Sequence, residues 1–287
     1  MRIATRGSAL ALAQARWVAS LLGGDAELVE VVTSGDRRRA VADKREWVAE
    51  IEDALAAGRA DLAVHSAKDV PAELPDGFAL AGAPARAAPW DALCGAPSLD
   101  ALAPGARVGT SSLRRAAALR AVRPDLELVP VRGNVDTRLR KLAEGACDAL
   151  VLALAGLERL GRTDAVGCVL ADEIVPAAGQ GTLLLEARLD GGEAREAAAG
   201  ITDHDTLRAL TCERALVHAL GADCHTPVGA HAAVEGDGLR LRAFVGRVDG
   251  SAWVRDELSG SDPEALGREV ARRLLAAGAR ELLEDAA

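Results

Sequence analysis

Arg6, Ser8, Lys68, Asp69, Ser111, Ser112, Arg114, Arg115, Arg132 and Arg138 share one kind of position. Each stands where a short apolar run ends and a run of helical character begins. A guanidinium offers a planar fork of donors that matches a carboxylate, and the first turn of a helix presents unpaired N–H groups to an anion. Gathered in one crevice, these residue types predict anion binding, though many binding proteins would share the pattern. Asp69, read alone, fits a surface ion pair or a helix cap as well as a catalytic carboxylate. The charge distribution points the same way. The chain is acidic overall, at −9, yet residues 105–162 hold 11 basic and 6 acidic side chains. The flanking segments 1–104 and 163–287 are net −4 and −10. A basic middle in an acidic chain marks a local anion site, with solvated helix faces as the alternative, and such a surface repels polyanions. Aromatic residues are 2% of the chain, with no Tyr, which argues against a base-stacking platform for nucleic acid.

The elements that would position these residues repeat one pattern over the first 200 residues: apolar strand, polar turn, helix. RIATR passes through Gly7 and Ser8 into ALALAQARWVASLL; ADLAVHS leads to AKDVP; ARVGT to Ser111, Ser112 and LRRAAALRAV; LELVPVR to Gly133, Asn134 and VDTRLRKLAEG; DALVLAL to AGLERLG. Ser and Asn at those turns are good helix N-caps. Alternating strands and helices predict an α/β fold with largely parallel sheets, in which ligands bind at the carboxyl ends of the strands. An Ala/Pro/Gly-rich stretch at 85–107 reads as a crossover between two lobes, and a second shift lies at 174–182. The tail reads as a helix near 205–220, then strands VGAHAAV, LRLRAFVGRV and AWVRDEL joined at Asp237-Gly238 and Asp249-Gly250, then a helix from Asp262-Pro263. That is a small α+β domain.

Five cysteines, Cys94, Cys147, Cys168, Cys212 and Cys224, are widely spaced, with no CxxC pair or Cys/His cluster of metal-ligand spacing. No metal is expected. The N-terminal MRIATRGSALAL lacks a signal-peptide core and no apolar run reaches membrane-span length, so the expected location is the cytoplasm, with free thiols.

Four segments carry a family resemblance: AVHSAKDVP (63–71), GTSSLRR (109–115), VRGNVDTRL (131–139) and CHTPVG (224–229). With IATRGSALALAQ (3–14), LALAGLERLG (152–161) and PAAGQG (176–181), they stand in the order and spacing of hydroxymethylbilane synthases, also called porphobilinogen deaminases. The resemblance implies head-to-tail condensation of four porphobilinogen molecules into 1-hydroxymethylbilane with release of ammonia, the product passing to uroporphyrinogen-III synthase. It implies two lobes like those of type II periplasmic binding proteins around a central cleft, plus the α+β domain. The expected division is 1–86 with 182–200, 87–177, and 204–287. It implies a dipyrromethane cofactor held as a thioether by Cys224, catalysis by Asp69, and a monomer. By motif position, Lys68, Thr110, Ser111, Ser112, Arg114, Arg115, Arg132, Gly133, Arg138 and Gln180 hold the cofactor. Arg6, Ser8, Arg132, Arg138, Arg159, Lys44 and Trp47 face substrate. Arg120, Arg123 and Arg140 are expected to be solvated.

The sequence departs from the family at RRRAVADKREWVAEIE (37–52), where a Gly- and Lys-rich stretch is usual and only Lys44 and Trp47 align. Arg37, Arg38 and Arg39 are replacement charge or solvated. Ala222-Asp223 stand where Gly-Gly often precedes the cysteine. A degenerate family member, or a two-lobed anion-binding protein without chemistry, is the alternative reading. Cys224→Ser separates them. Oxygen is a poorer nucleophile than thiolate, so the variant should fold, lack the covalent mass increment and be inactive. Cys94, Cys147, Cys168 and Cys212, changed singly to Ala, should keep the increment in intact-mass measurements.

Overall fold

The computed structural model describes residues 1–37, 45–222 and 226–284. Lys44, Arg38, Arg39 and Cys224 lie outside them.

The first sheet contains β1 (Arg2–Arg6), β2 (Glu27–Val31), β3 (Leu62–Ser66), β4 (Phe78–Gly82) and β10 (Leu183–Arg188), in the order β2-β1-β3-β10-β4. The second contains β5 (Asp91–Cys94), β6 (Arg107–Gly109), β7 (Glu127–Val129), β8 (Ala149–Ala153) and β9 (Val166–Val169), in the order β7-β6-β8-β5-β9. The two orders are the same pattern. In each, a parallel trio is extended by one strand that runs against its neighbours on both sides. The expectation of largely parallel sheets is therefore corrected to mixed sheets. The odd strands, β5 and β10, arrive directly from the other sheet, not through a helical crossover, which is the connection that forces parallel pairing.

Local chemistry sets the helices as expected. The Ser8 hydroxyl accepts from the Ala11 N–H (3.2 Å) and starts α1 (Ala9–Leu21). Ser112 accepts from the Arg115 N–H (3.4 Å) at α4 (Leu113–Val122), and Asn134 from the Thr137 N–H (2.9 Å) at α5 (Val135–Ala143). Between β2 and β3 lie α2 (Ser34–Arg37) and α3 (Arg45–Ala56); α6 (Leu154–Arg159) follows β8, and α7 (Gly192–Gly200) follows β10. With so few aromatic residues, the cores are filled by aliphatics: Ile3, Val18, Leu62 and Leu185 in the first sheet, Val108, Leu119, Val151 and Leu170 in the second.

The third sheet is an antiparallel meander of β11 (Val228–Glu235), β12 (Gly238–Gly246) and β13 (Trp253–Gly260), backed by α8 (His204–Ala219) and α9 (Pro263–Ala276), with α10 (Ala279–Glu284) closing the chain. Asp262 caps α9 and Pro263 opens it, as expected. The first hairpin is one residue off the expectation. Glu235 pairs with Gly238, so the loop is Gly236-Asp237, with Gly236 at φ 58°. Glycine in the first loop position is the arrangement a two-residue hairpin favours. The second loop holds Asp249-Gly250 at its tip, and there Arg120 donates to the Val248 carbonyl (2.7 Å). Arg120 is thus not solvated but docks the second sheet onto the third. Arg123 likewise donates to the carbonyls of Leu99 and Leu102. Arg140 is exposed beside Glu144, as expected. Phe244, fully buried on β12, reaches into the core of the second sheet.

Helices α8 and α9 touch at Gly267, where an added Cβ would stand 2.4 Å from the Cys212 carbonyl and 2.8 Å from the Ala215 Cβ. Gly267→Ala should therefore destabilise by about 1–3 kcal/mol, the usual cost of overpacking. Gly192→Ala, where nothing lies within 4 Å, should leave the thermal midpoint unchanged or slightly raised.

Candidate active site

β3 is buried along its length and ends in a short turn, Ala67–Asp69, closed by the Val70 N–H to the Ala67 carbonyl (3.3 Å). The Ala67 N–H is tied to the Thr182 carbonyl (3.0 Å), and Ala67 and Val70 are buried. This pins the half-buried Lys68 and Asp69 at the carboxyl end of the strand. Asp69 lines an open cleft with Arg6, Ser8, Gln14, Trp47, His65 and Ser66. His65 and Glu186, both buried, lie 2.9 Å apart behind it.

Arg6, at the end of β1, is fixed from two sides. Its Nε bonds both oxygens of Asp36 (3.1 and 3.2 Å), Nη2 also bonds Asp36, and the guanidinium lies 3.9 Å from the centre of the Trp47 ring. Burial works against ionisation of Asp36, but hydrogen bonds from Arg6 and Thr33 outweigh it and hold the carboxyl below its usual range. Trp47 in turn packs on Gly35, where a Cβ would meet the ring at 2.4 Å. The sequence placed Arg6, Ser8 and Trp47 here but missed Asp36, Gln14 and Ser66. Gln14 Nε2 donates to the Ser66 hydroxyl (3.0 Å).

A buried polar network joins the sheets. Lys68 Nζ donates to Gln180 Oε1 (3.2 Å), and Gln180 Nε2 donates to the Pro89 carbonyl (2.7 Å) and to Asp91 Oδ1 (3.0 Å). Asp91, fully buried, accepts from Arg114 Nη1 (2.8 Å) and from Arg115 Nε and Nη2 (2.9 and 2.7 Å). Sequence reasoning missed Asp91, although an acidic residue opening the apolar strand DALC was a readable sign of a buried charge with partners. Burial opposes ionisation of Asp91, and the two arginines hold it far below the carboxylate range. Burial lowers Lys68 to about 8, with Asp69 and Asp91 supporting its charge and Arg115 and Arg114 opposing it. Burial also lowers Arg114, and brings Arg138 to about 10, with Arg115 adding to the shift and Asp69 resisting it. Arg138 Nε donates to the Gly133 carbonyl (2.6 Å), and Gly133 has φ 121°.

Beside this network, Arg86 bonds the Gln180 carbonyl (2.9 Å) and both oxygens of the fully buried Glu213 (2.7 and 3.2 Å). Glu213 also accepts from the Gly179 and Ala232 N–H groups (2.6 and 2.8 Å). Arg159 donates to the Gly181 carbonyl (2.7 Å), and burial lowers it to about 10. The buried Thr110 accepts at its hydroxyl from the Ser112 N–H (3.2 Å), so Thr110 and Ser112 shape the turn, while Ser111 and Arg132 are exposed. Lys44 and Cys224 lie outside the described residues. Among the described residues, no helix is long and apolar enough to cross a membrane.

Four cations, Lys68, Arg114, Arg115 and Arg138, thus surround two carboxylates, Asp69 and Asp91. The excess of desolvated positive charge suits a ligand with several carboxylates. A family description, "Porphobilinogen deaminase, dipyromethane cofactor binding domain", matches residues 1–196, and the family's C-terminal domain matches residues 207–276. The chain belongs to the porphobilinogen deaminase family. The porphobilinogen deaminase of Trichlorobacter lovleyi is 48% identical over 99% of this chain and 96% of its own. That of Roseiflexus sp. is 49% identical over 98% and 97%, and that of Syntrophus aciditrophicus 46% identical over 99% and 98%. Among solved structures, the methionine binding protein MetQ is similar over 72% of this chain and 91% of its own, at 16% identity and a TM-score of 0.46.

The lowered lysine gives the site a pH signature. Lys68 keeps its charge below about 8 and loses it as pH rises through that value, well before an ordinary lysine at 10.5. Carboxylate binding should weaken over the same interval. With porphobilinogen, the substrate of the family, KM should climb between about pH 7.5 and 9, and Lys68→Ala should raise KM at neutral pH and flatten the climb.

Proposed function

We propose that the chain is a hydroxymethylbilane synthase that condenses four porphobilinogen molecules into 1-hydroxymethylbilane, with Asp69 as its catalytic carboxylate. The observation that carries the assignment is Asp69 at the edge of a cavity, ringed by cations in excess of their own counter-ions. Each porphobilinogen brings an acetate and a propionate, so the growing chain gains two carboxylates per addition, and a site short of negative charge accommodates them.

The same excess fits the dipyrromethane, which carries four carboxylates. Lys68, Arg114, Arg132 and Arg138 would hold them, with Thr110, Ser111, Ser112, Gly133 and Gln180 shaping the surrounding wall, Arg115 braced behind, and Cys224 anchoring the group. When bound, the dipyrromethane supplies the electron-rich pyrrole carbon to which the first substrate is joined. Asp69 accepts a hydrogen bond from a pyrrole N–H at its carboxylate, stabilises the positive charge that forms as ammonia leaves, and takes up the proton lost from the new ring centre. Arg6, held by Asp36 and Trp47, presents its outer donors to the incoming ring's carboxylates, with Ser8, Lys44 and Arg159 alongside. The division of labour follows the sheets: 1–86 with 182–200 supply Asp69 and Arg6, 87–177 supply the basic wall, and 204–287 supply the cysteine. The enzyme works as a monomer in the cytoplasm and passes its product to uroporphyrinogen-III synthase.

Purified protein should exceed its sequence mass by one covalent dipyrromethane, and a protein without that increment and without turnover is not a synthase. Asp69→Asn should keep the fold and the increment and lose about 10²–10³ in rate of ammonia release. Asp69→Glu, which keeps the charge one methylene away, should fall between. Turnover of Asp69→Asn within a few-fold of the parent would move the catalytic role elsewhere in the cavity.

A further inference from the structure

Asp91 is the one carboxylate of the network that has no room for a ligand. Oδ1 accepts from Arg115 Nε (2.9 Å), Arg115 Nη2 (2.7 Å) and Gln180 Nε2 (3.0 Å), and Oδ2 accepts from Arg114 Nη1 (2.8 Å). It is fully buried, so its contacts are with protein alone. Its partners are arranged unusually. Arg114 and Arg115 stand in the first turn of α4, which has no acidic residue, and there the positive end of the helix dipole opposes a cation. Asp91 offsets that repulsion from β5. Arg115 spends its remaining bonded nitrogen, Nη1, on the Val151 carbonyl (3.1 Å), and Arg114 Nη1 also serves the Val175 carbonyl (2.8 Å). Gln180, itself buried, is oriented by two acceptors, Asp91 Oδ1 and the Pro89 carbonyl, which leaves its Oε1 turned to Lys68 Nζ at 3.2 Å. An amide whose NH₂ is committed in this way has one acceptor to offer and one place to offer it.

We propose that Asp91 is a positioning residue for substrate binding: it fixes Arg114 and Arg115 directly, and Lys68 through the Gln180 amide, so that cations from both sheets meet the substrate carboxylates in one arrangement. The inference rests on the synthase reading. It adds to that reading a residue that never touches substrate. Asp91 lies where the chain has just crossed into the second sheet, and Gln180 where it crosses back. One carboxylate therefore also sets the relation between Lys68 on the first sheet and the α4 arginines on the second.

Two variants test it, Asp91→Asn and the exchange Asp91→Asn with Gln180→Glu, each purified as folded protein and compared with the parent by intact mass, kcat, KM and the pH dependence of KM. Loss of the carboxylate in Asp91→Asn should raise KM for porphobilinogen about ten- to a hundred-fold, the scale of one charge-assisted bond, with a smaller change in kcat. The rise of KM on the alkaline side should move to lower pH, because of the charges facing Lys68 — Asp69, Asp91, Arg115 and Arg114 — one of the two that support it is gone. Loss of the covalent increment from a folded Asp91→Asn protein counts the same way, since the cofactor's carboxylates meet the same cations. The exchange moves the negative charge from the arginines to the lysine. Its alkaline rise should shift above the parent's while KM at neutral pH stays elevated. Parental KM and pH dependence in either folded, loaded variant overturns the proposal. Failure of both variants to fold also overturns it, by assigning Asp91 to stability alone. Absence of the mass increment and of turnover in the parent would instead remove the synthase reading.

Discussion

A carboxylate withdrawn from water must be surrounded by donors or lose its charge, and Asp91 meets that demand with two guanidinium groups and an amide. The consequences run outward. The arginines can sit in the first turn of α4 because a counter-charge waits on β5. Gln180 can be buried because both ends of its amide are used. Lys68 can stand at the end of a buried strand with its charge weakened but not lost at neutral pH. A second buried carboxylate, Glu213, repeats the principle at the junction with the third sheet, where it satisfies Arg86 and two backbone N–H groups. The three sheets therefore meet around two anionic centres, with apolar packing arranged outside them.

Features carried by neighbours in sequence were legible: the caps at Ser8, Ser112 and Asn134, the Asp262-Pro263 start, and the strand–turn–helix units that bring Lys68, Asp69 and the arginines to strand ends. Features carried by distant partners were not. Asp91 lies 23 and 24 residues from its arginines and 89 from Gln180, and Arg86 lies 127 from Glu213. No local period encodes such pairs. Asp36 was overlooked because its neighbourhood was read only as a departure from the family pattern. Strand direction failed for a related reason: an apolar run such as LLLEAR announces a buried strand but carries no mark of which sheet it will enter or which way it will run. Arg120 looked solvated because the loop it grips comes 128 residues later.

The scarcity of aromatic residues shapes the packing as well. Cores of Ala, Leu and Val let elements approach closely, as where Gly267 sits against the α8 backbone and Ala215. Three of the large rings have clear tasks: Trp47 supports Arg6, Trp90 packs against His231 at 4.7 Å between centroids, and Phe244 fills the second sheet's core from the third. His231 is kept neutral there, burial and nearby arginines lowering it to about 3.

The strand order of the first sheet bears on how the chain folds as it is made. β4 pairs only with β10, and β10 sits between it and β3. When β1 to β4 have left the ribosome, β3 and β4 both present open edges, and the strand that closes them begins about a hundred residues beyond β4 in the chain. The second sheet, once translated, lacks Phe244 in its core for a further long stretch. The first sheet cannot complete itself vectorially, and the second completes its strand pairing but not its core; the nascent chain must hold the open edges of β3 and β4 until β10 arrives.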